Sequence, residues 1–311
     1  MTRILKLSIL SFLCTMILSC TTRWEITEDE NGILIAENGK KVLFYQKAPK
    51  SYQGKSERCN YIHPLYGLNE QILTQDFPLD NHTDHLHQRG LYWAWHQVYI
   101  GTKRIGDAWL NADFEWDVTA TSEEEYKDSC VMAATVLWKS PLWLDEQGKK
   151  KEFARENISI KVYPAEDNFR VLDFSIRITA LEDSLFIGGS EDVKGYGGFS
   201  IRLDPGDGLS FKNASGNVEA QNTALDAGPW MNIIGDWSDE IEEEGVIMIS
   251  HPDNPNHPQP WIIRTEKSMQ NAMYPGRSPV MIPMDQPLHL KYRVIVYQGI
   301  VGDEIRQWMT P

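Results

Sequence analysis

The stretch Asn81-His82-Thr83-Asp84-His85-Leu86-His87-Gln88-Arg89-Gly90 gathers three imidazoles, a carboxylate and a guanidinium. Imidazole exchanges protons near neutral pH and is the commonest metal-binding side chain. Two kinds of chemistry suit this grouping. In the first, His85 or His87 takes or gives a proton, Asp84 orients an imidazole, and Arg89 holds a carboxylate through its planar fork. In the second, His82, His85 and His87 offer nitrogens to zinc or a similar divalent ion. A plainer alternative has the histidines hydrogen-bonding loop backbone. An aromatic run follows at once, Leu91-Tyr92-Trp93-Ala94-Trp95-His96.

Two further segments carry chemistry. Residues 251–264 hold four prolines, which fix the backbone and present His257, Trp261 and Arg264 for ligand contact. Residues 191–202 run Glu-Asp-Val-Lys-Gly-Tyr-Gly-Gly-Phe-Ser-Ile-Arg, where the glycines allow close backbone approach and Lys194, Tyr196 and Arg202 can share a pocket. No phosphate-cradling spacing is present. Eleven tryptophans and twelve tyrosines pack cores but also offer faces to the C–H bonds of sugars. Trp93, Trp95, Trp230 and Trp261, each close to a motif, are the candidates for that role.

The elements that must position these groups are strands. Ile33-Leu34-Ile35 and Val42-Leu43-Phe44-Tyr45 flank Asn38-Gly39, a hairpin signal. Residues 158–163 alternate with period two, and so do 171–177 after a turn at 164–168. Residues 131–138, 198–203, 245–250 and 291–297 read as further strands. The helix candidate is 303–309, with Asp303 as its cap. The acidic runs 122–128 and 238–244 read as solvated loops. Many short strands joined by Gly, Pro and Asn turns predict an all-β protein, a large antiparallel β-sandwich in one domain over residues 20–311 with a short C-terminal helix.

Residues 1–19 read as a secretory signal, with Arg3 and Lys6 ahead of a short apolar run. Ile17-Leu18-Ser19-Cys20 looks like a lipobox, with Cys20 the lipidated residue. The expected location is therefore exported and lipid-anchored, in the periplasm or at the outer membrane, touching membrane only through the anchor. The chain carries a formal charge of −14, from 30 basic and 44 acidic side chains, which argues against nucleic acid and anionic membrane as partners. Cys59 and Cys130 would then be the cysteines left for a disulfide.

In order, residues 84–91, residues 194–202, Gly228-Pro229-Trp230-Met231-Asn232-Ile233-Ile234-Gly235 and residues 251–264 resemble the hallmarks of the PmoA-like family. The resemblance runs from about Ile33 onward. It departs at Leu86 and Gln88, where the family usually has proline and histidine, and the missing histidine weakens a three-imidazole metal site. The family carries a methane-oxygenase label. A membrane oxygenase needs several spanning helices, and no apolar run after residue 19 is long enough to supply one. The resemblance instead implies a sandwich similar to galactose-mutarotase-like folds and a place among carbohydrate-degrading proteins.

With that resemblance, the residues predict β-elimination on an oligosaccharide ending in a uronic acid. Arg89, Arg202 or Arg264 would neutralise the carboxylate as charge builds on it. A histidine or Tyr196 would take the proton, and a second such group would protonate the departing oxygen. Catalytic candidates are His85, His87, Arg89, Lys194 and Tyr196. Substrate-binding candidates are Asp84, Trp93, Arg202, Trp230, His257, Trp261 and Arg264. No cofactor is required, while a divalent metal at His82, His85 and His87 stays open. Two other functions fit the same residues: a sugar epimerase or mutarotase, and a non-catalytic carbohydrate-binding lipoprotein.

Overall fold

The computed structural model describes residues 22–77, 85–204, 208–238, 243–266 and 268–310. Every strand pairing in it is antiparallel. One sheet has eight strands in the order Trp24–Glu28, Gly32–Glu37, Lys40–Gln46, Tyr61–Leu65, Leu91–Ala94, Gly198–Ile201, Gln270–Met273 and Trp261–Ile262. A second has nine, in the order Glu115–Tyr126, Ser129–Lys139, Ala154–Val162, Phe169–Ala180, Leu288–Gln298, Glu244–Ser250, Trp230–Gly235, Ser210–Asn213 and Gly216–Asn217. A four-stranded sheet includes the hairpin Gln97–Ile100 and Lys103–Gly106, and Lys50–Tyr52 pairs with Lys55–Arg58.

Period-two patterning explains the layers. Along Ala154–Val162 the even-numbered residues are buried and the odd-numbered ones are not. Asn38 and Gly39 both take positive φ, 51° and 81°, as the tight hairpin turn between the second and third strands requires. The two large sheets pack through aromatic side chains. Phe199 stacks on Tyr292 at 4.2 Å and on Trp93 at 6.2 Å, and meets Phe174 edge-on at 5.2 Å. In the middle of this core sits the carboxylate of Glu156. It accepts from Trp93 Nε1 (2.6 Å), Trp138 Nε1 (2.9 Å) and Asn60 Nδ2 (2.9 Å), so both oxygens of a fully buried acid are hydrogen-bonded.

Three expectations need correction. Residues 122–126 are not loop: they continue the strand Glu115–Tyr126, with Glu123, Glu124 and Glu125 opposite Met132, Val131 and Cys130. This is an edge strand of the nine-stranded sheet, and charges on an edge oppose pairing with other chains. Of the second acidic run, Glu243 precedes and Glu244 begins a strand, while 239–242 lie outside the described residues. The helix spans only Asp303–Arg306, and its cap is Gly302 with no side-chain cap bond, because Asp303 is already inside the first turn. Cys59 and Cys130 are separate buried thiols, each pushed up to about 12 by burial. Cys59 Sγ instead donates to the Trp116 carbonyl at 3.2 Å.

Candidate active site

Successive strand residues point to opposite faces, and residues paired across an antiparallel ladder share a face. Trp93 pairs with Phe199, and both point into the sandwich. Tyr92 pairs with Ser200, and Ser200 with Asn271, so these three belong to the opposite face of the eight-stranded sheet. Asn271 Nδ2 donates to Ser200 Oγ at 3.0 Å. This outer face is polar and aromatic, and two loops cover it.

The first loop is residues 85–90. His85 takes a left-handed backbone (φ 55°), and its carbonyl accepts from Gln88 N at 2.8 Å and from Arg202 Nη1 at 3.0 Å. Gln88 Oε1 accepts from Met269 N at 3.1 Å and so ties this loop to its neighbour. Gly90 has φ 59°, and a Cβ there would lie 2.0 Å from the Ile62 carbonyl oxygen. Only glycine lets the chain enter the sheet at that point.

The second loop, residues 107–111, follows the hairpin Gln97–Ile100 and Lys103–Gly106. Asp107 accepts from Leu110 N at 2.8 Å and so turns the chain to bring Trp109 against the sheet. The Trp109 ring lies 5.4 Å from Tyr92, 5.1 Å from Tyr196 and 5.5 Å from His96, on which it stacks. His96 and Tyr196 meet edge-on at 5.0 Å. His96 Nδ1 lies 3.0 Å from Asp107 Oδ2, and Arg104 Nη2 donates to the same oxygen at 3.2 Å.

The electrostatics tie these groups into one cluster. Burial drives the His87 imidazole down to about 3, helped by the Arg58 guanidinium and, less strongly, by its neighbours His85, His96 and Arg202. His87 is therefore uncharged at neutral pH, and its ring centre lies 5.8 Å from that of His85. Burial raises the Tyr196 phenol, as do Asp192 and Asp107, while the Arg264 guanidinium opposes the rise. Burial likewise raises the Tyr92 phenol, against Arg58 and Arg202. Arg58 is buried between the rings of Tyr92 and Trp116, 4.7 Å from each, and burial pulls it down to about 9.

Four predicted residues thus gather on one face, His85, His87, Tyr196 and Arg202, and the Arg264 guanidinium is near enough to act on the Tyr196 phenol. Arg264 Nη1 also donates to the carbonyls of Gln221 (2.5 Å) and Ile263 (2.8 Å). The remaining ones sit elsewhere. Arg89 donates to the carbonyls of Lys50 (2.8 Å) and Ser56 (2.6 Å) and lies over the rings of Tyr61 and Phe77, a structural role. Lys194 stays beside Asp192 near the surface. Trp93 faces the core, and Trp261 is buried with Nε1 donating to the Gly228 carbonyl at 2.8 Å. Trp95 is buried as well, donating to the Tyr274 carbonyl at 2.9 Å. Trp230 belongs to the nine-stranded sheet and packs against the smaller apolar cluster of Phe169, Val171 and Ile247. His257 lies 3.5 Å from Ser250 Oγ, at the end of that same sheet. Asp84, His82 and Cys20 lie outside the described residues.

Sequence reasoning missed Arg58, His96, Asp107 and Trp109. Only His96 had a signal, as the last residue of the aromatic run with the same parity as Tyr92. Among the described residues no three histidine, cysteine, aspartate or glutamate side chains are grouped to hold a metal ion. His85 and His87 would need a further ligand for one, and the sequence candidate His82 lies outside that range.

The face as built can hold an anionic ring: guanidinium groups for a carboxylate, an uncharged imidazole, protonated phenols, and flat rings for a sugar's C–H surface. No helix among the described residues is long and apolar enough to cross a membrane. No curated protein matches this chain. Residues 33–308 match the profile of DUF6807, described as a family of unknown function, and the chain belongs to that family.

Proposed function

We propose that this protein is an exported, lipid-anchored carbohydrate-active lyase or dehydratase that performs β-elimination on uronate-terminated oligosaccharides. The observation that carries the reading is convergence. An uncharged imidazole, a raised phenol and the guanidiniums of Arg202 and Arg264 come from three separate segments to one sheet face. The export and anchoring parts rest on residues 1–20 of the sequence alone.

In the reaction, the C–H bond beside the carboxylate breaks and its proton passes to an imidazole. The electron pair forms a C=C bond as the C–O bond at the β carbon breaks. Tyr196, kept protonated by its raised pKa, gives its proton to the departing oxygen. Arg202 and Arg264 hold the carboxylate, where negative charge grows in the transition state; each such donor contributes a few kcal/mol. Burial is the main reason that His87 stays uncharged; the anion offsets the Arg58 and Arg202 charges that add to it, so ligand binding raises the proton affinity of that imidazole.

The test is to incubate the protein with uronate-terminated oligosaccharides and follow ultraviolet absorbance of the conjugated double bond. Absorbance that rises with enzyme concentration supports the reading, and a flat trace across varied uronates contradicts it. An epimerase or mutarotase would use the same acid and base without making a double bond, and sugar NMR separates that outcome.

A further inference from the structure

We infer that His96, oriented by Asp107, is the imidazole that accepts the substrate proton in the elimination proposed above. The inference rests on that reading of the site and names a residue for it.

The first ground is tautomer. A carboxylate can only accept hydrogen bonds, so the 3.0 Å contact of Asp107 Oδ2 with His96 Nδ1 places a proton on Nδ1. The neutral ring then presents a bare lone pair at Nε2, the form a general base needs. Asp107 is itself fixed by Arg104 Nη2 at 3.2 Å and Leu110 N at 2.8 Å, and Arg104 also donates to the His96 carbonyl at 2.8 Å. The ring is thus held from both its side chain and its backbone.

The second ground is an unspent atom. His96 is 9% exposed, and its buried Nε2 has no hydrogen-bond partner among the described residues. Beside it, the buried Trp109 Nε1 is also without one. Native structures rarely leave such groups unpaired, and two adjacent ones beside the Tyr196 ring fit a ligand that supplies the partners.

The third ground is contrast with His87. Burial and then Arg58 act most strongly against a proton on His87, and Arg202 adds to them. His96 has Asp107 at hydrogen-bond distance to stabilise the imidazolium formed when it takes a proton. Asp107 is accordingly a positioning residue, which never touches substrate.

Two readouts test this. In histidine-labelled protein, nitrogen NMR should show neutral His96 protonated at Nδ1 and bare at Nε2. The fixed tautomer should be lost in the near-isosteric Asp107→Asn. In turnover, His96→Gln and Asp107→Asn should each lower kcat by about 100-fold or more, with KM changed less than about threefold, and the double variant should add little. Thermal melts identify any variant that fails to fold, and the NMR on wild type then decides alone. A neutral His96 carrying its proton on Nε2 overturns the assignment. So does wild-type elimination that persists undiminished in a folded His96→Gln. Wild type that never eliminates contradicts the reaction itself, a different failure from turnover without His96.

Discussion

Acid should destabilise this protein through His87, by an amount that follows from its surroundings. In the folded chain burial and nearby cations hold the imidazole at about 3, against 6.5 when unperturbed. Between those values the unfolded chain binds a proton that the folded chain does not. Stability therefore rises with pH across this window and is lost as pH falls from about 6.5 toward 3. Each pH unit inside it is worth about 1.4 kcal/mol, so His87 costs about 3 kcal/mol on acidification from pH 7 to 4. His87→Gln has no proton to bind and should lack this component. The assay is urea unfolding followed by tryptophan fluorescence at several pH values, wild type against variant. The difference in their stabilities should change by about 3 kcal/mol between neutral pH and pH 4. His63, held at about 4 by burial, supplies a similar slope that both proteins share. Parallel pH dependences in the two proteins would refute the placement of His87 as a half-buried, uncharged group.

Gly90→Ala should destabilise the fold by at least about 2 kcal/mol in the same assay, since an alanine there meets both a positive φ and the Ile62 carbonyl. Any folded fraction should lose turnover, because the first loop is displaced. Glu156→Leu should cost about 3 kcal/mol or more in chemical denaturation, by leaving Trp93, Trp138 and Asn60 as buried donors without their acceptor. An unchanged unfolding midpoint would contradict the assigned core network.

Much of the fold was legible because alternation and turn chemistry act locally. Asn38-Gly39 dictates its hairpin, and residues 158–163 and 171–177 show on their own which side chains go inside. The site was legible where unusual residue types cluster: His85, His87, Tyr196, Arg202 and Arg264 each stand out against a strand background. Face was harder to read, because a one-residue offset moves a side chain to the other side of the sheet. The run from Leu91 to His96 is apolar or aromatic at nearly every position, so nothing in it says that Trp93 points into the sandwich and Tyr92 to the opposite face. Arg89 and Arg202 look alike as sequence. In the fold, Arg89 is spent on the Lys50 and Ser56 carbonyls, while Arg202 clamps the loop over the site. Asp107 was invisible for another reason: the hairpin 97–106, whose pairing sets Val98 opposite Gly106 and so brings Asp107 against His96, was not read from the sequence.

The account's central claim is that the outer face between His87 and Tyr196 eliminates across a uronate. The most direct measurement is the initial rate of double-bond absorbance with a uronate-terminated oligosaccharide, for wild type and for Arg202→Met. Steady formation of the unsaturated product by wild type, reduced at least about 100-fold by the loss of this guanidinium, is the predicted result. Product formation at the same rate in both would contradict it, because the carboxylate would then be held somewhere else.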